Sequence, residues 1–264
     1  PSADHLVWWQ DFERPKLNAL IETALDGNFD LAGALARVKQ AQALGIQARS
    51  ALFPQLNLRA GGSQEFEGSE SQRGQAEIGG ALQWELDLFD RIGVAAQSEA
   101  LKARARQEDL NALRLALSAD VASAYFGAIA AKRTLDLLNQ QVATDEELLE
   151  LLELRFNQGI GINVEVLQQK SRVTDSQALI PVAEANMRVF ENRLDVLMGK
   201  VPDGKNRVSV GETLSFDDDL PPVGVPTDLL MRRPDLRSAR SELIAADADI
   251  AAAIADRLPR LTLD

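Results

Sequence analysis

From Arg91 to Phe156 the chain runs 66 residues without a proline, with glycine only at Gly93 and Gly127. Folded as one helix, that stretch reaches roughly 100 Å at 1.5 Å per residue. A chain of 264 residues cannot bury a rod of that length inside a globule, so the rod needs helical neighbours along its whole reach. The apolar residues supply the contact lines. Leu110, Leu113, Leu117, Val121 and Ala124 form one stripe at three- and four-residue spacing. Leu135, Leu138, Val142, Leu149, Leu152 and Phe156 form another, interrupted by Asp145 at one heptad position.

The rod stops at Asn157-Gln158-Gly159-Ile160-Gly161-Ile162-Asn163. Two glycines around one residue suit a tight turn, and Asn163 is placed to cap a returning helix. That second helix is expected from about Val164 to Met198, with Pro181 as a kink or break. The segment 90–198 therefore reads as a very long antiparallel helical hairpin with its tip at 159–161. Residues 199–226 hold Pro202, the run Asp217 to Asp219 and Pro221-Pro222, and read as a linker.

The N-terminal segment, 1–55, predicts a helix from about Lys16 to Phe53. It breaks at Gly27-Asn28, where Asn28 or Asp30 can cap a fresh start, and ends before Pro54. The segment 56–89 alternates with period two. Leu56, Leu58 and Ala60 form one apolar series, and Ile78, Gly80, Leu82, Trp84, Leu86 and Leu88 form the other. Gly61 to Gly74, rich in Gly, Ser, Gln and Glu, reads as an exposed hairpin loop between them. Two readings of this hairpin stay open. One face covers a soluble core, or it faces lipid as part of a transmembrane barrel with Trp84 and Phe89 in an aromatic girdle.

Shifted by 205 residues, the C-terminal segment 227–264 lies over the first helix without a gap. Asp30-Leu31 falls on Asp235-Leu236, and Ala34, Ala41, Ala43 and Ala48 fall on Ala239, Ala246, Ala248 and Ala253. Pro54, Leu56 and Leu58 fall on Pro259, Leu261 and Leu263. Such a match marks a duplicated structural unit. By the same offset a complete second unit would run to about residue 400, so the second copy is expected to be incomplete and the chain truncated.

Composition narrows the function. The net charge of −12 argues against a nucleic-acid partner, whose phosphates need clustered cations. With no cysteine and one histidine, His5, neither a thiol nucleophile nor a histidine-rich metal site is available. Gly204-Lys205-Asn206 lacks the spacing and hydroxyl of a phosphate-binding loop. Asp87 and Asp90 are a conceivable carboxylate pair without an evident partner group. No enzyme, cofactor or metal site is expected. The most apolar helical stretch, Leu115 to Ala131, is broken by Asp120, so no transmembrane helix is predicted.

Several short stretches carry a family resemblance. They are Trp8-Trp9-Gln10-Asp11-Phe12, Leu20-Ile21 through Asn28-Phe29-Asp30-Leu31, and Trp84-Glu85-Leu86-Asp87-Leu88-Phe89. Further along come Arg155-x-x-x-Gly159, Val166-Leu167-Gln168, Leu197-Met198-Gly199, and Val225-Pro226-x-Asp228-Leu229-Leu230-x-Arg232-Arg233-Pro234-Asp235. In this order, and with the duplicated helix, strand-pair and helix-hairpin plan, the chain resembles the TolC-like outer-membrane efflux channels, in the lipoprotein branch that includes OprM.

The resemblance implies a mainly α fold of the α-barrel type, with the β-hairpin contributing to an outer-membrane β-barrel. It implies a homotrimer in outer-membrane lipid with its helices in the periplasm. The channel would be a passive exit duct for drugs, metals or other small molecules. Its partners would be a periplasmic adaptor protein and an inner-membrane pump, often of the RND type. By position, Arg155, Gly159, Gly161, Asn163 and Val166 would sit at the adaptor-contact tip. The simpler reading of the same residues is that the glycines permit the turn and Arg155 is solvated. A lipidated cysteine would precede Pro1, and the second hairpin would follow Asp264. The alternative from another class is a soluble coiled-coil structural or adaptor protein.

Overall fold

The computed structural model describes residues 7–67, 71–208 and 232–264. A 3-10 turn, Trp8–Phe12, leads into α1 (Pro15–Gly27) and α2 (Phe29–Ser50). Then come β1 (Gln55–Glu67), β2 (Ser71–Leu86), α3 (Arg91–Asn157), α4 (Asn163–Leu197), α5 (Pro234–Ala255) and β3 (Leu261–Leu263). The fold is mainly helical, as expected, and α3 is one unbroken helix of 67 residues. The chain divides into two compact units, Pro1–Ala32 with Leu113–Val223, and Gly33–Ala112 with Gly224–Asp264.

In the first unit, Pro15 starts α1 where its missing amide proton costs nothing. Asn28 separates α1 from α2. Its Oδ1 accepts from the amides of Asp30 and Leu31 at 2.9 and 3.2 Å, while its Nδ2 donates to the carbonyl of Leu197 at 3.0 Å. Gly199, at φ +71°, leaves its missing side chain facing the carbonyl of Gly27, where an added Cβ would lie 2.1 Å from the oxygen. Glycine at both positions lets the α1–α2 corner close on the end of α4.

The core around α3 is aromatic. Phe12 stacks edge-on against Phe126 at 5.3 Å, and Trp8 Nε1 donates to the buried Ser118 hydroxyl at 3.0 Å. Tyr125, Val121 and Ala128 are fully enclosed. Phe190 of α4 occupies the space beside Gly127, within 2.5 Å of where a Cβ would stand. Among the described residues α3 is the one helix long and apolar enough, by length and composition alone, to cross a membrane, and 44% of that stretch is buried within the chain.

α4 turns inward at every third and fourth residue, at Val166, Gln169, Val173, Ser176, Ile180, Ala183, Met187, Phe190 and Leu194. This unbroken heptad is the contact line of a coiled coil. It continues through Pro181, so of the expected kink or break the break does not occur. One lost amide donor in a helix packed along its length is tolerated. Residues 201–208 have no regular structure but are tied down. Arg207 pairs with the buried Asp195 and with Asp203 at 2.8 and 2.9 Å, and its amide donates to Glu191 at 3.1 Å. Asp195 beside it raises the Arg207 guanidinium above its ordinary range. The first part of the expected linker is therefore fixed to α4. Its remainder from 209, with Asp217 to Asp219 and Pro221-Pro222, lies outside the described residues, as do His5 and most of the Val225-to-Asp235 motif.

In the second unit, β1 and β2 pair antiparallel from Gln55↔Gln83 to Glu67↔Ser71, and β3 adds to β2 through Trp84↔Leu263 and Leu86↔Leu261. Gly61 to Gly74 is thus not a loop in its described parts. The ladder continues through Gly61↔Glu77 and Gln64↔Gly74. Main-chain groups form it, so polar and glycine-rich side chains do not prevent it. Asp87 accepts the amides of Ile92 and Gly93 at 3.1 and 2.7 Å and starts α3. It is a capping residue, and Asp90, at φ +56°, belongs to the same turn. α2 and α5 each span 22 residues, 29–50 and 234–255, at the 205-residue offset of the repeat.

Candidate functional site

Two places combine exposure with pattern: the strand face and the hairpin tip. Residues directly opposite in an antiparallel ladder point to the same side. The register therefore puts Leu56, Leu58, Ile78, Leu82, Trp84 and Leu263 on one face, and Gln55, Asn57, Arg59, Glu77, Gln83 and Glu85 on the other. Ile78 is 89% exposed and Leu58 79%. Among the described residues no core lies against the apolar face. Trp84 is held at the base of the sheet by donating Nε1 to the carbonyl of Leu52 at 3.1 Å. Strands of 13 and 16 residues exceed the 9–11 a membrane-crossing strand needs.

Beside the polar face lies an open cleft of about 420 Å³, lined by Phe53, Gln55, Gln83, Arg91 and Thr262. Arg91 is engaged by Glu85 at 2.7 Å, which raises its pKa, so the cleft presents a neutralised pair rather than a free cation. Among the described residues no group of histidine, aspartate or glutamate side chains is arranged to hold a metal ion.

At the tip, α3 ends on a glycine cap. Gly159 takes φ +74° with its amide on the carbonyl of Phe156 at 2.9 Å. The Arg155 carbonyl accepts the amides of Ile160 and Gly161 at 3.0 and 3.1 Å. A Cβ on Gly161 would press on the Phe156 amide at 3.1 Å, whereas at Gly159 the surrounding space is open. Arg155, Gly159 and Gly161 therefore form one turn, with the arginine acting through its backbone and its side chain exposed.

Asn163 departs from expectation. It is the first residue of α4, the preceding Ile162 is extended at φ −109°, and no side chain caps the helix. Val166 is half-buried and opens the α4 contact line. The larger feature is one that single-residue reasoning missed. Leu151, Leu154, Ile160, Ile162, Val164 and Leu167 are all exposed around the turn. The Ile160-x-Ile162-x-Val164 run beside polar neighbours was the available signal.

Above the tip, a polar cluster spans the hairpin at Asp145, about 18 Å before the helix end. Gln169, itself buried, donates Nε2 to the Asp145 carbonyl at 3.0 Å, and Ser176 Oγ donates to the carboxylate at 2.9 Å. Gln141 adds a bond at 3.0 Å, the largest of the contributions that lower the Asp145 pKa below its ordinary 3.8. The heptad interruption is thus a satisfied cross-helix network.

Residues 20–200 match the family described as outer membrane efflux protein. The pyoverdine export outer membrane protein OpmQ of Pseudomonas putida is 32% identical over 97% of this chain and 57% of its own length. The toluene efflux pump outer membrane protein TtgF of the same species is 31% identical over 98% and 55%. Among solved structures, the outer-membrane channel OprN superposes with a TM-score of 0.84 at 30% identity, covering 97% of this chain and 59% of that one. VceC of Vibrio cholerae gives 0.80 at 25% identity, covering 99% and 63%. The chain spans just over half the length of these curated relatives.

Proposed function

Because this chain belongs to the outer membrane efflux protein family, we propose that it forms part of an outer-membrane channel, the passive exit duct of a tripartite efflux system. The observation that carries this reading is the uncovered apolar face of the strand pair at Leu56, Leu58, Ile78 and Leu82. Exposed apolar surface on one face and polar groups on the other suit a wall between lipid and a watery lumen. The described strands of one chain are too few to close a barrel, since free sheet edges in lipid leave backbone groups unpaired. Three copies of the two long strands stay below the roughly eight a membrane barrel needs, so we assign closure to a homotrimer of the intact protein in outer-membrane lipid.

At the α3–α4 turn, Arg155, Gly159, Gly161, Asn163 and Val166 mark the tip that meets a periplasmic adaptor, and through it an inner-membrane pump of the RND type. The exposed Ile160, Ile162 and Val164 supply the apolar contact there. The relatives are named for pyoverdine export and toluene efflux. We extend only the class, small molecules collected from the periplasm, to this chain. No catalytic step is assigned.

The test exploits the absence of cysteine. In outer-membrane vesicles, a fluorophore on Ile78→Cys should be quenched by a lipid-confined quencher and spared by an aqueous one, with the reverse for Asn57→Cys. Equal aqueous quenching at both, with release of the protein by carbonate and no detergent, would replace the channel with a soluble coiled-coil scaffold.

A further inference from the structure

At the foot of the sheet, helices and strands leave a gap that their own sequence keeps open. The cleft of about 420 Å³ on the polar face is floored by Ala48, Ala51 and Ala95, from around the end of α2 and the first turns of α3. Its wall carries Gln55, Gln83 and Thr262 from the three strands, and Phe53, 61% exposed, stands at the rim. Gln55 and Gln83 are direct partners in the ladder, so their carboxamides stand side by side on one face. Among the described residues nothing hydrogen-bonds to the side chains of Gln55, Gln83 or Thr262.

The repeat sharpens the contrast. Moved by 205 residues, Ala51 becomes Asp256 and Gln55 becomes Arg260, which pair with each other. The first copy keeps a methyl group and a carboxamide where the second sets a tied pair of charges. Fixed neighbours hold the cleft in shape. Trp84 ties the α2–β1 corner through the Leu52 carbonyl at 3.1 Å, and Asp87 holds the first turn of α3 through the amides of Ile92 and Gly93. The wall is also neutral. Glu85, Arg91, Asp256 and Arg260 form a chain of alternating charge, at 2.7 Å from Glu85 to Arg91 and 3.8 Å from Arg91 to Asp256. The acids balance the bases, so an ion gains no net attraction there.

We propose that this cleft is a binding site for an uncharged small molecule with a flat apolar body and an amide-like edge. The body lies on the three alanines and against Phe53, and the edge meets Gln55 and Gln83, each able to donate and to accept. The volume falls in the range of about 300–1,000 Å³ that holds such ligands. An uncharged molecule also enters without the desolvation cost of an ion. That the molecule is cargo in transit rests on the channel reading; that the cleft binds it does not.

The cysteine-free chain supplies the test. Ala51→Cys on the cleft floor is labelled with a maleimide in the presence of benzamide, benzoate or toluene. A fragment of this size binds at about 1 mM, so benzamide at about 5 mM should slow labelling about fivefold. Benzoate keeps the ring and adds a charge, and toluene keeps the ring without the amide; each should slow labelling by less than about 1.5-fold. Ile78→Cys, on the apolar face, should be labelled at the same rate with and without benzamide. Adding Gln55→Leu and Gln83→Leu to Ala51→Cys should abolish the protection with the helical circular dichroism unchanged, and the comparison of the three probes stands without that variant. Labelling that benzamide does not slow, equal protection by benzoate or toluene, or protection that survives both leucines overturns the proposal. None of these results alters the quenching at Ile78 and Asn57, so the cleft and the channel can fail separately.

Discussion

The two ends of the α3–α4 hairpin share one heptad spacing and have opposite fates. Around Val121, Tyr125 and Ala128 the helix is enclosed, because α4 seats Phe190 on Gly127 and the N-terminal turn adds Trp8 and Phe12. Toward the turn, among the described residues, only the two arms remain, and Leu149 and Leu152 are half-buried while Leu151 and Leu154 are open. Two helices in contact bury one stripe each, and a third element is needed to enclose the flanks. An apolar residue off the stripe is core at one end and open at the other.

The contrast breaks most sharply at Tyr125. Tyr125→Ala should cost about 3–5 kcal/mol, as large-to-small changes do in a closed core, whereas Leu154→Ala should cost under about 0.5 kcal/mol, as at an open site. Urea unfolding followed by circular dichroism reads both, and equal losses would mean that the tip is as well packed as the shaft. Next in size is Gly127→Val. Its Cβ would stand 2.5 Å from Phe190, and overpacking of this kind costs about 1–3 kcal/mol. Adding Phe190→Ala should recover part of that loss.

At the tip, Gly159→Val should cost about 1 kcal/mol for a side chain at positive φ. Adaptor crosslinking should fall several-fold in the same variant. Unchanged crosslinking would remove the tip from the docking surface. The smallest effect concerns Asp145, whose pKa is held below its ordinary 3.8 by Gln141 and Ser176. A depressed carboxylate stabilises the fold above its unfolded pKa, and that contribution is lost as pH falls from about 3.8 through the lower folded value. Asp145→Asn should flatten that part of the stability–pH curve and leave neutral pH nearly untouched. A curve unchanged by the substitution would show that the cluster carries no linked proton.

Helix lengths, the Gly159 turn, the Asn28 cap and the duplication were all readable in the chain. Each depends on neighbours a few residues away, or on a pattern repeated at fixed distance. The polar continuation of the strands through Gly61 to Glu67 was not readable, because the ladder is a property of two backbones. The Asp87 cap of α3 was missed for a related reason, since its five- and six-residue reach depends on the turn at Asp90. Asn163 failed as a cap because Ile162 already occupies the extended position ahead of the helix.

The sequence by itself determined the periods: seven along the hairpin, two along the strands and 205 between the repeats. A period says which residues share a face, since it follows from the screw of the helix and the pleat of the strand. Which face is covered is a matter of what lies across from it, and only the tertiary structure decided that. Val38 and Leu243 stand at the same place in the repeat, one buried and one open. The difference is a neighbour, because burial belongs to a pair of surfaces and never to one.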